Sequence, residues 1–176
     1  FSVSKAADAP TAAQAGRFTT DCFLLDVTTV DATIDPADLY QVIHYIEGYN
    51  FAPLAQNSMT LSFWHKHTKT GVYCAGLRNS SSDRSYVIEY TQAVTDVWEK
   101  TTVVISASPA AGTWNYTNGI GIYISFVVAA GTNTHTTPNA WQTSNFTATV
   151  NQVNGMDSIA NNFRIDLIQL EPGTVL

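Results

Sequence analysis

The feature that most constrains this chain is a series of nine short segments in which apolar and polar residues alternate. Within residues 58–67, for example, Met59, Leu61 and Phe63 define one face and polar residues lie between them. An alternation of period two is typical of a β-strand that buries one face. The nine segments are RFTTDCFLLDVTTV, LYQVIHYIEG, SMTLSFWHKHT, GVYCAGLR, RSYVIEYTQ, VWEKTTVVIS, GIGIYISFVVA, NFTATVNQ and NFRIDLIQLE.

Nine strands and no convincing helix predict an all-β fold in a chain of 176 residues, the size of one domain. Two packed antiparallel sheets with jelly-roll connections are the commonest arrangement for strands of this number and spacing, so we predict a single jelly-roll β-sandwich. Residues 1–16 are rich in small residues without periodicity, which predicts an N-terminal arm or linker. Residues 17–176 are then the sandwich domain, and its long polar loops are the expected place for function.

The charge of the chain excludes one class of partner. Lys and Arg number 8 against 14 Asp and Glu, and no basic cluster supplies the positive patch that nucleic-acid binding requires. No apolar run approaches the roughly 20 residues that span a bilayer, so we expect no membrane insertion. The charged fraction of 12% is about half the ~25% usual in soluble proteins. A surface that is polar mainly through Ser, Thr, Asn and Gln suits extracellular or virion proteins and sugar-binding modules.

The two cysteines, Cys22 and Cys74, lie inside apolar strand-like segments and lack the paired spacing of a zinc site or a redox motif. Two buried free thiols are the favoured interpretation, and a disulfide is the alternative.

Four landmarks occur together and in one order: an IEG turn at 46–48, an LSFW strand at 61–64, a WEK strand start at 98–100 and a closing QLEPG at 169–173. In this combination the chain resembles the β-sandwich domains, akin to carbohydrate-binding modules, found near the C-termini of bacteriophage tail-fibre, tailspike and related virion proteins. The resemblance covers most of the chain after residue 38.

This resemblance implies a non-catalytic domain that recognises a host surface glycan on a phage particle, outside the cell, as part of a homotrimer. In that family the closing strand usually continues into a segment similar to ATPFE, so we expect the sandwich to be complete at Leu170 and a further tail to be absent from this sequence. Two alternatives stay open. One is a purely structural or trimerising domain of a virion appendage, and the other is a carbohydrate-binding module of a secreted polysaccharide-degrading enzyme.

Sugar binding by such a sandwich needs flat aromatic rings for the pyranose faces, with amides, hydroxyls or charged forks for the sugar hydroxyls. For residues on strand faces, cover by a neighbouring chain or by a loop is the alternative role, and for a loop arginine it is a solvated charge. The candidate carbohydrate-binding residues are Trp64 and Tyr123 on polar strand faces, Trp114, Tyr116 and Trp141 in loops, and Arg84 at a loop tip.

Two sets of residues are candidate metal ligands. His65 and His67 share one face of a strand, as a zinc-binding pair would, but no third ligand is placed by the sequence, and we expect surface or rim histidines. No cofactor is required, although the resemblance points to a structural calcium ion. Asp166 resembles the acidic position of the closing strand that holds such an ion, and oxygen ligands suit calcium. A solvated or arginine-paired carboxylate is the alternative for Asp166.

The sequence does not favour an enzyme. A glycoside hydrolase needs two opposed carboxylates, and nothing in the sequence pairs the candidates Glu47, Glu89 and Glu99. No nucleophile elbow, phosphate-binding loop, zinc-protease motif or dinucleotide fingerprint is present. We therefore expect recognition without catalysis.

Overall fold

The structure is a computed structural model that describes residues 1–174, so the domain end predicted at residue 176 lies outside the described residues. Within this part of the chain, helix is limited to α1 (Ala12–Ala15), α2 (Gly48–Phe51) and a 3-10 turn (Thr132–Thr134), and none of these could cross a bilayer. The ten strands are β1 (Ser2–Ala6), β2 (Cys22–Asp26), β3 (Leu39–Glu47), β4 (Met59–His67), β5 (Gly71–Asn79), β6 (Arg84–Gln92), β7 (Glu99–Ile105), β8 (Ile120–Ala130), β9 (Trp141–Thr143) and β10 (Asn162–Pro172).

The strands form two antiparallel five-stranded sheets. Sheet A has the order β1-β2-β10-β4-β7, and sheet B has the order β3-β8-β5-β6-β9. When the edge strands β1 and β9 are set aside, sheet A holds the first, eighth, third and sixth of the remaining strands, and sheet B holds the second, seventh, fourth and fifth. This is the strand order of a jelly roll, in which the chain passes repeatedly between two packed sheets. The predicted jelly-roll β-sandwich is therefore confirmed.

The inner faces of both sheets meet in one aromatic and aliphatic core. Met59, Leu61 and Phe63 of β4 are fully buried, as their alternation predicted. The ring of Phe63 packs edge-to-face against Tyr90 of β6 and Phe126 of β8, with centroid separations of 4.9 Å in both pairs. Such pairs add about 0.5–1.5 kcal/mol to the area term. Because the core uses one face of each sheet, the two outer faces and the loops at the two ends remain for function.

The cysteines lie on the outer faces of opposite sheets and are both buried free thiols, as the favoured interpretation expected. Cys22 belongs to β2 in sheet A and Cys74 to β5 in sheet B. Burial is the main cause that raises the pKa of each thiol to about 11. Both are therefore unreactive at neutral pH.

The first sixteen residues differ from the arm or linker expected from the sequence. Ser2–Ala6 form the edge strand of sheet A and pair antiparallel with β2, from Ser2 opposite Asp26 to Ala6 opposite Cys22. Four of the five residues of β1 are exposed, so neither face requires apolar side chains and no alternation marks the strand in the sequence. Edge strands are often of this kind.

The segment at 145–152, predicted as a strand, joins neither sheet and makes one isolated bridge, between Ala148 and His135. It lies across the outer face of sheet B, where the backbone of Thr147 packs so closely over Gly76 that a side chain at position 76 would crowd it. Thr147, Ala148 and Thr149 are buried in this contact. Its β-like pattern therefore reflects burial against a sheet face and not strand pairing. We call residues 145–149 the covering segment.

Candidate functional site

The predicted carbohydrate-binding residues occupy three separate places. Trp64 lies on the outer face of sheet A, directly opposite Asp166 of β10. Tyr123 lies on the outer face of sheet B, between β3 and β5. The other four lie at one end of the sandwich: Trp114, Tyr116, Trp141 and Arg84.

The loop aromatics at this end pack around Phe51 of α2. The ring of Trp114 stacks on Phe51 with a centroid separation of 5.4 Å, and that of Tyr116 does so at 6.2 Å. Trp141 meets Trp114 edge-on at 5.7 Å. Trp141, which was predicted in a loop, is the first residue of the short strand β9. All three rings are partly buried against the core, so they close the end of the sandwich and also leave surface for a ligand.

Asp83 ties the loop that carries Trp114 and Tyr116 to the turn between β5 and β6. Its carboxylate accepts the N–H of Thr113 at 3.0 and 3.2 Å and the side-chain amide of Asn79. The amide oxygen of Asn79 in turn accepts the N–H groups of Asp83 and Arg84, both at 3.0 Å. The hydrogen bond from Asn79 is the main cause that lowers the pKa of Asp83. The two loops are therefore held together in the folded protein.

Between these loops lies an open cleft of about 480 Å³ that combines rings with hydroxyl and amide groups. Aromatic area beside convergent polar groups is the arrangement that sugar recognition uses. We call it the loop-end cleft, and its lining residues are Ser80, Ser81, Thr113, Trp114, Asn115, Tyr116 and Thr117.

Arg84 and Trp141 lie beside this cleft and are not among the residues that line it. The guanidinium of Arg84 donates to the carbonyl of Asp83 at 2.6 Å. The indole N–H of Trp141 donates to the carbonyl of Ser106 at 2.9 Å, and its ring packs on the buried Tyr86 at 5.4 Å. Both side chains therefore support the loops around the cleft, and a direct contact with sugar stays a prediction.

Tyr123 belongs to a row of three side chains on the outer face of sheet B. It lies directly opposite Tyr45 of β3 on one side and Arg78 of β5 on the other. The tyrosine rings meet edge-to-face at 5.1 Å, and the Arg78 guanidinium lies 5.4 Å from the centre of the Tyr123 ring. We call these residues the tyrosine–arginine row. Sequence reasoning missed Tyr45 and Arg78 because nothing local shows which residues of distant strands stand opposite each other.

Asp166, the candidate calcium ligand, lies in an irregular part of β10 where the register shifts before Gln169. One carboxylate oxygen accepts the N–H of Leu167 at 2.7 Å, and the other is buried without a partner. Burial raises the pKa of this carboxyl. Within residues 1–174 no three His, Cys, Asp or Glu side chains are grouped closely enough to hold a metal ion. The calcium ion stays a prediction.

The expectation of surface or rim histidines is wrong. His65 and His67 continue the inward face of β4 and are 1% and 0% exposed. The ring of His65 lies 2.9 Å from the Gln92 amide oxygen and 3.0 Å from the Thr101 hydroxyl, and that of His67 lies 3.2 Å from the Tyr90 hydroxyl. Burial lowers the pKa of both imidazoles. They are neutral core residues at pH 7.

The three candidate acids lie far from one another. Glu47 and Glu89 are on strands of sheet B that are separated by β8 and β5, and Glu99 is in sheet A. Glu99 accepts two N–H groups of the loop that follows β6, at 2.8 and 2.9 Å, and Glu89 accepts from Asn151 at 3.0 Å. The fold does not bring these three carboxylates into an opposed pair.

A second opening, of about 280 Å³, lies between β3 and β8 of sheet B and β2 and β10 of sheet A. Its polar side chain is His44, and the others are apolar. It therefore lacks the convergent hydroxyl and amide groups of the loop-end cleft. The residues around it are Phe23, Val42, Ile43, His44, Phe126, Ile165 and Ile168.

Comparison with known proteins supports the fold. No protein-family model matches the chain, and no curated protein sequence matches it significantly. A crystal structure of the enzymatically active domain of tailspike protein 4 from bacteriophage CBA120 is similar over 97% of this chain, with a TM-score of 0.51 and 15% identity. The chain spans 18% of the length of that structure. At this identity the likeness extends to the fold alone.

A CBM4 structure is also similar, with a TM-score of 0.45 and 12% identity, over 86% of this chain and 71% of its own. This likeness is too distant to carry an argument. The fold and the loop-end cleft therefore define the class: a jelly-roll β-sandwich domain with an open cleft of aromatic and polar groups.

Proposed function

We propose that this chain is a non-catalytic, glycan-binding receptor-recognition domain of a phage tail fibre or spike, exposed on the virion. The observation that carries the proposal is the loop-end cleft, in which Trp114 and Tyr116 lie among hydroxyl and amide side chains. The similarity of the fold to part of a phage tailspike protein supports the setting.

The cleft suits recognition because its rings are already placed. Trp114 and Tyr116 are held by stacking on Phe51. The turn at Tyr116 is closed by Asn115, whose amide oxygen accepts the N–H of Thr117 at 2.8 Å. A preorganised site loses little conformational entropy when it binds a ligand. An open cleft of this kind binds each sugar weakly, and presentation of three copies in a homotrimer raises the effective affinity. Such binding requires no cofactor.

A purely structural role in a virion appendage is the second candidate, because large apolar side chains are exposed away from the cleft. Val150 and Ile159 are 81% and 71% exposed. Both lie in the connection between the covering segment and β10 and are not among the residues that line the cleft. Exposed apolar side chains of this kind become buried when chains assemble. In the structural role the domain serves to join chains through these apolar side chains, and the cleft binds no glycan.

A glycan array probed with the intact oligomer tests the proposal. The informative variant is Ser81→Leu, because Ser81 is an exposed residue of the cleft and the leucine adds bulk without removing a ring that packs on the core. We expect the wild type to bind at least one glycan and the variant to lose about tenfold or more in affinity, equivalent to about 1.4 kcal/mol.

Thr29→Leu is the matched control, because Thr29 is exposed in the loop that follows β2 at the opposite end of the sandwich. It is expected to bind as the wild type does. A folded wild type that binds no glycan contradicts the proposal, and equal binding by the Ser81 variant contradicts the placement of the site in the cleft.

Light scattering tests the assembly. The homotrimer predicts a solution mass three times the chain mass of 19.1 kDa. A monomer at the concentrations used for the array contradicts the trimer and leaves the avidity argument without support.

A further inference from the structure

We infer that the glycan bound by this domain is acidic, and that Arg78 holds its carboxylate beside the rings of Tyr45 and Tyr123. This inference rests on the proposed function and names the chemical class of the glycan ligand. The tyrosine–arginine row borders the loop-end cleft, because Arg78 is separated from the cleft residue Ser80 by Asn79 alone. A chain of sugar units that occupies the cleft therefore has the row as its neighbouring subsite.

Arg78 is a buried cation that the fold does not neutralise. The residue is 7% exposed, and its Nε atom is buried without a hydrogen-bond partner. None of the ion pairs found within residues 1–174 includes it. Burial lowers the pKa of the guanidinium, and no carboxylate acts against this effect. A buried charge without a counter-charge is costly in a folded protein, so its presence indicates a partner of opposite charge.

The partner now in contact with Arg78 marks where a carboxylate would bind. Arg78 Nη1 donates a hydrogen bond to the amide oxygen of Asn145, the first residue of the covering segment. Asn145 is exposed, so its amide forms the outer cover of a buried guanidinium. Exchange of this neutral acceptor for a carboxylate oxygen adds the attraction of opposite charges to a hydrogen bond whose donor is already charged.

The adjacent tyrosines supply the surface for a sugar ring. Tyr45 is 54% exposed and Tyr123 is partly buried, and the two rings meet edge-to-face. The row crosses three neighbouring strands, so its side chains stand about 5 Å apart on a rigid face. Two rings beside a fixed cation match a pyranose that carries a carboxylate.

The first experiment compares a charged ligand with its neutral form. Calorimetry with an oligogalacturonate and with the same oligosaccharide after methyl esterification changes the charge and keeps the rings. We expect the free acid to bind about tenfold or more tightly than the ester, because only the acid carries a negative charge that attracts the guanidinium of Arg78. We also expect the affinity of the acid to fall as sodium chloride is added, because salt screens this attraction. A glycan array of acidic oligosaccharides and their neutral parents extends the comparison to other acids.

The sharpest variant is Asn145→Asp, because it places a carboxylate of nearly the same shape on Arg78 from within the chain. We expect this variant to melt at a higher temperature than the wild type and to lose about tenfold or more in affinity for the acidic ligand. Asn133→Asp is the control, because Asn133 is exposed in the 3-10 turn and the substitution adds the same negative charge at a different place. Tyr45→Ala is expected to fold normally and to weaken binding of the acid.

Three outcomes overturn the inference. If the acid and its ester bind equally, or if the array shows neutral glycans alone, the acidic class is wrong and the glycan-binding function stands. If Asn145→Asp binds the acid as tightly as the wild type, Arg78 is not the site. If no glycan binds to the folded oligomer, the proposed function fails and the inference fails with it.

Discussion

The outer faces of the two sheets differ in whether their buried cations are paired with acidic side chains. On sheet A, Lys66 and Arg164 stand side by side on β4 and β10, and each contacts both Asp8 and Asp96 at 3.0–3.6 Å. On sheet B, Arg78 is more deeply buried and has no acidic partner within the described residues. The chain supplies the counter-charges for one face and not for the other.

Under the proposed function, this difference separates a structural face from a ligand-binding one. Sheet A is completed by the N-terminal segment, since Asp8 follows β1 and its carbonyl also accepts the indole N–H of the buried Trp98 at 3.1 Å. Its charges are satisfied within the chain, and they hold that segment in place. Sheet B keeps a cation without an acidic partner against the ring of Tyr123, which in turn meets the ring of Tyr45. A buried charge without a counter-charge is costly to the folded state.

The largest predicted effect lies between the two faces, at His65 and His67. Their pKa values are lowered by burial from the ordinary 6.5, so below pH 6.5 the unfolded chain binds more protons than the folded one. Stability is therefore fully present above pH 6.5 and is lost as the pH falls, by at most about 2 kcal/mol at pH 5 from His67 and by less from His65. Urea unfolding at a series of pH values measures this loss.

The exposed His44 provides the control for the histidine prediction. His44→Gln is expected to keep the pH dependence, and His67→Phe is expected to flatten it even if its stability at pH 7 is reduced. A stability that does not change between pH 7 and 5 contradicts the prediction.

The next effect breaks the charge network of sheet A. Asp8→Asn removes a negative charge shared by Lys66 and Arg164, two side chains that are largely buried, and is expected to cost about 1–2 kcal/mol of unfolding free energy. Asp21→Asn breaks the exposed pair of Asp21 with Lys5 and is expected to cost less unfolding free energy than Asp8→Asn does. Equal losses in urea unfolding would mean that the sheet A network is no more structural than a surface ion pair.

Much of the fold was predictable because alternation along a strand is a local property. Eight of the nine predicted strands are confirmed, among them β4 with Met59, Leu61 and Phe63 on its inward face. The same local reasoning missed β1, which is exposed on both faces, and the three-residue β9. It overestimated residues 145–152, whose burial comes from lying on a sheet. The histidines show the limit most clearly. Their shared face was predicted correctly, but whether that face was rim or core depended on the opposite sheet.

The candidate site was predictable only in part, for the same reason. Trp114 and Tyr116 were recognised as loop aromatics in polar surroundings, and their common cleft depends on a contact between Asp83 and Thr113 across 30 positions. Arg78 was not predicted as a site residue, because the sequence around an arginine in a strand does not show whether an acid lies beside it. Its neighbours are Tyr123 of β8 and Asn145 of the covering segment, and both are brought to it by the tertiary structure.

The sequence by itself determined that the chain alternates, that its strands close into two layers and that its surface is polar with little charge, since each of these follows from the side chains and their spacing. Only the tertiary structure decided which side chains stand opposite each other, which cations are neutralised and which rings share a cleft. Pairing and register join residues far apart in the chain, and the cost of a buried charge depends on every neighbour that folding brings to it.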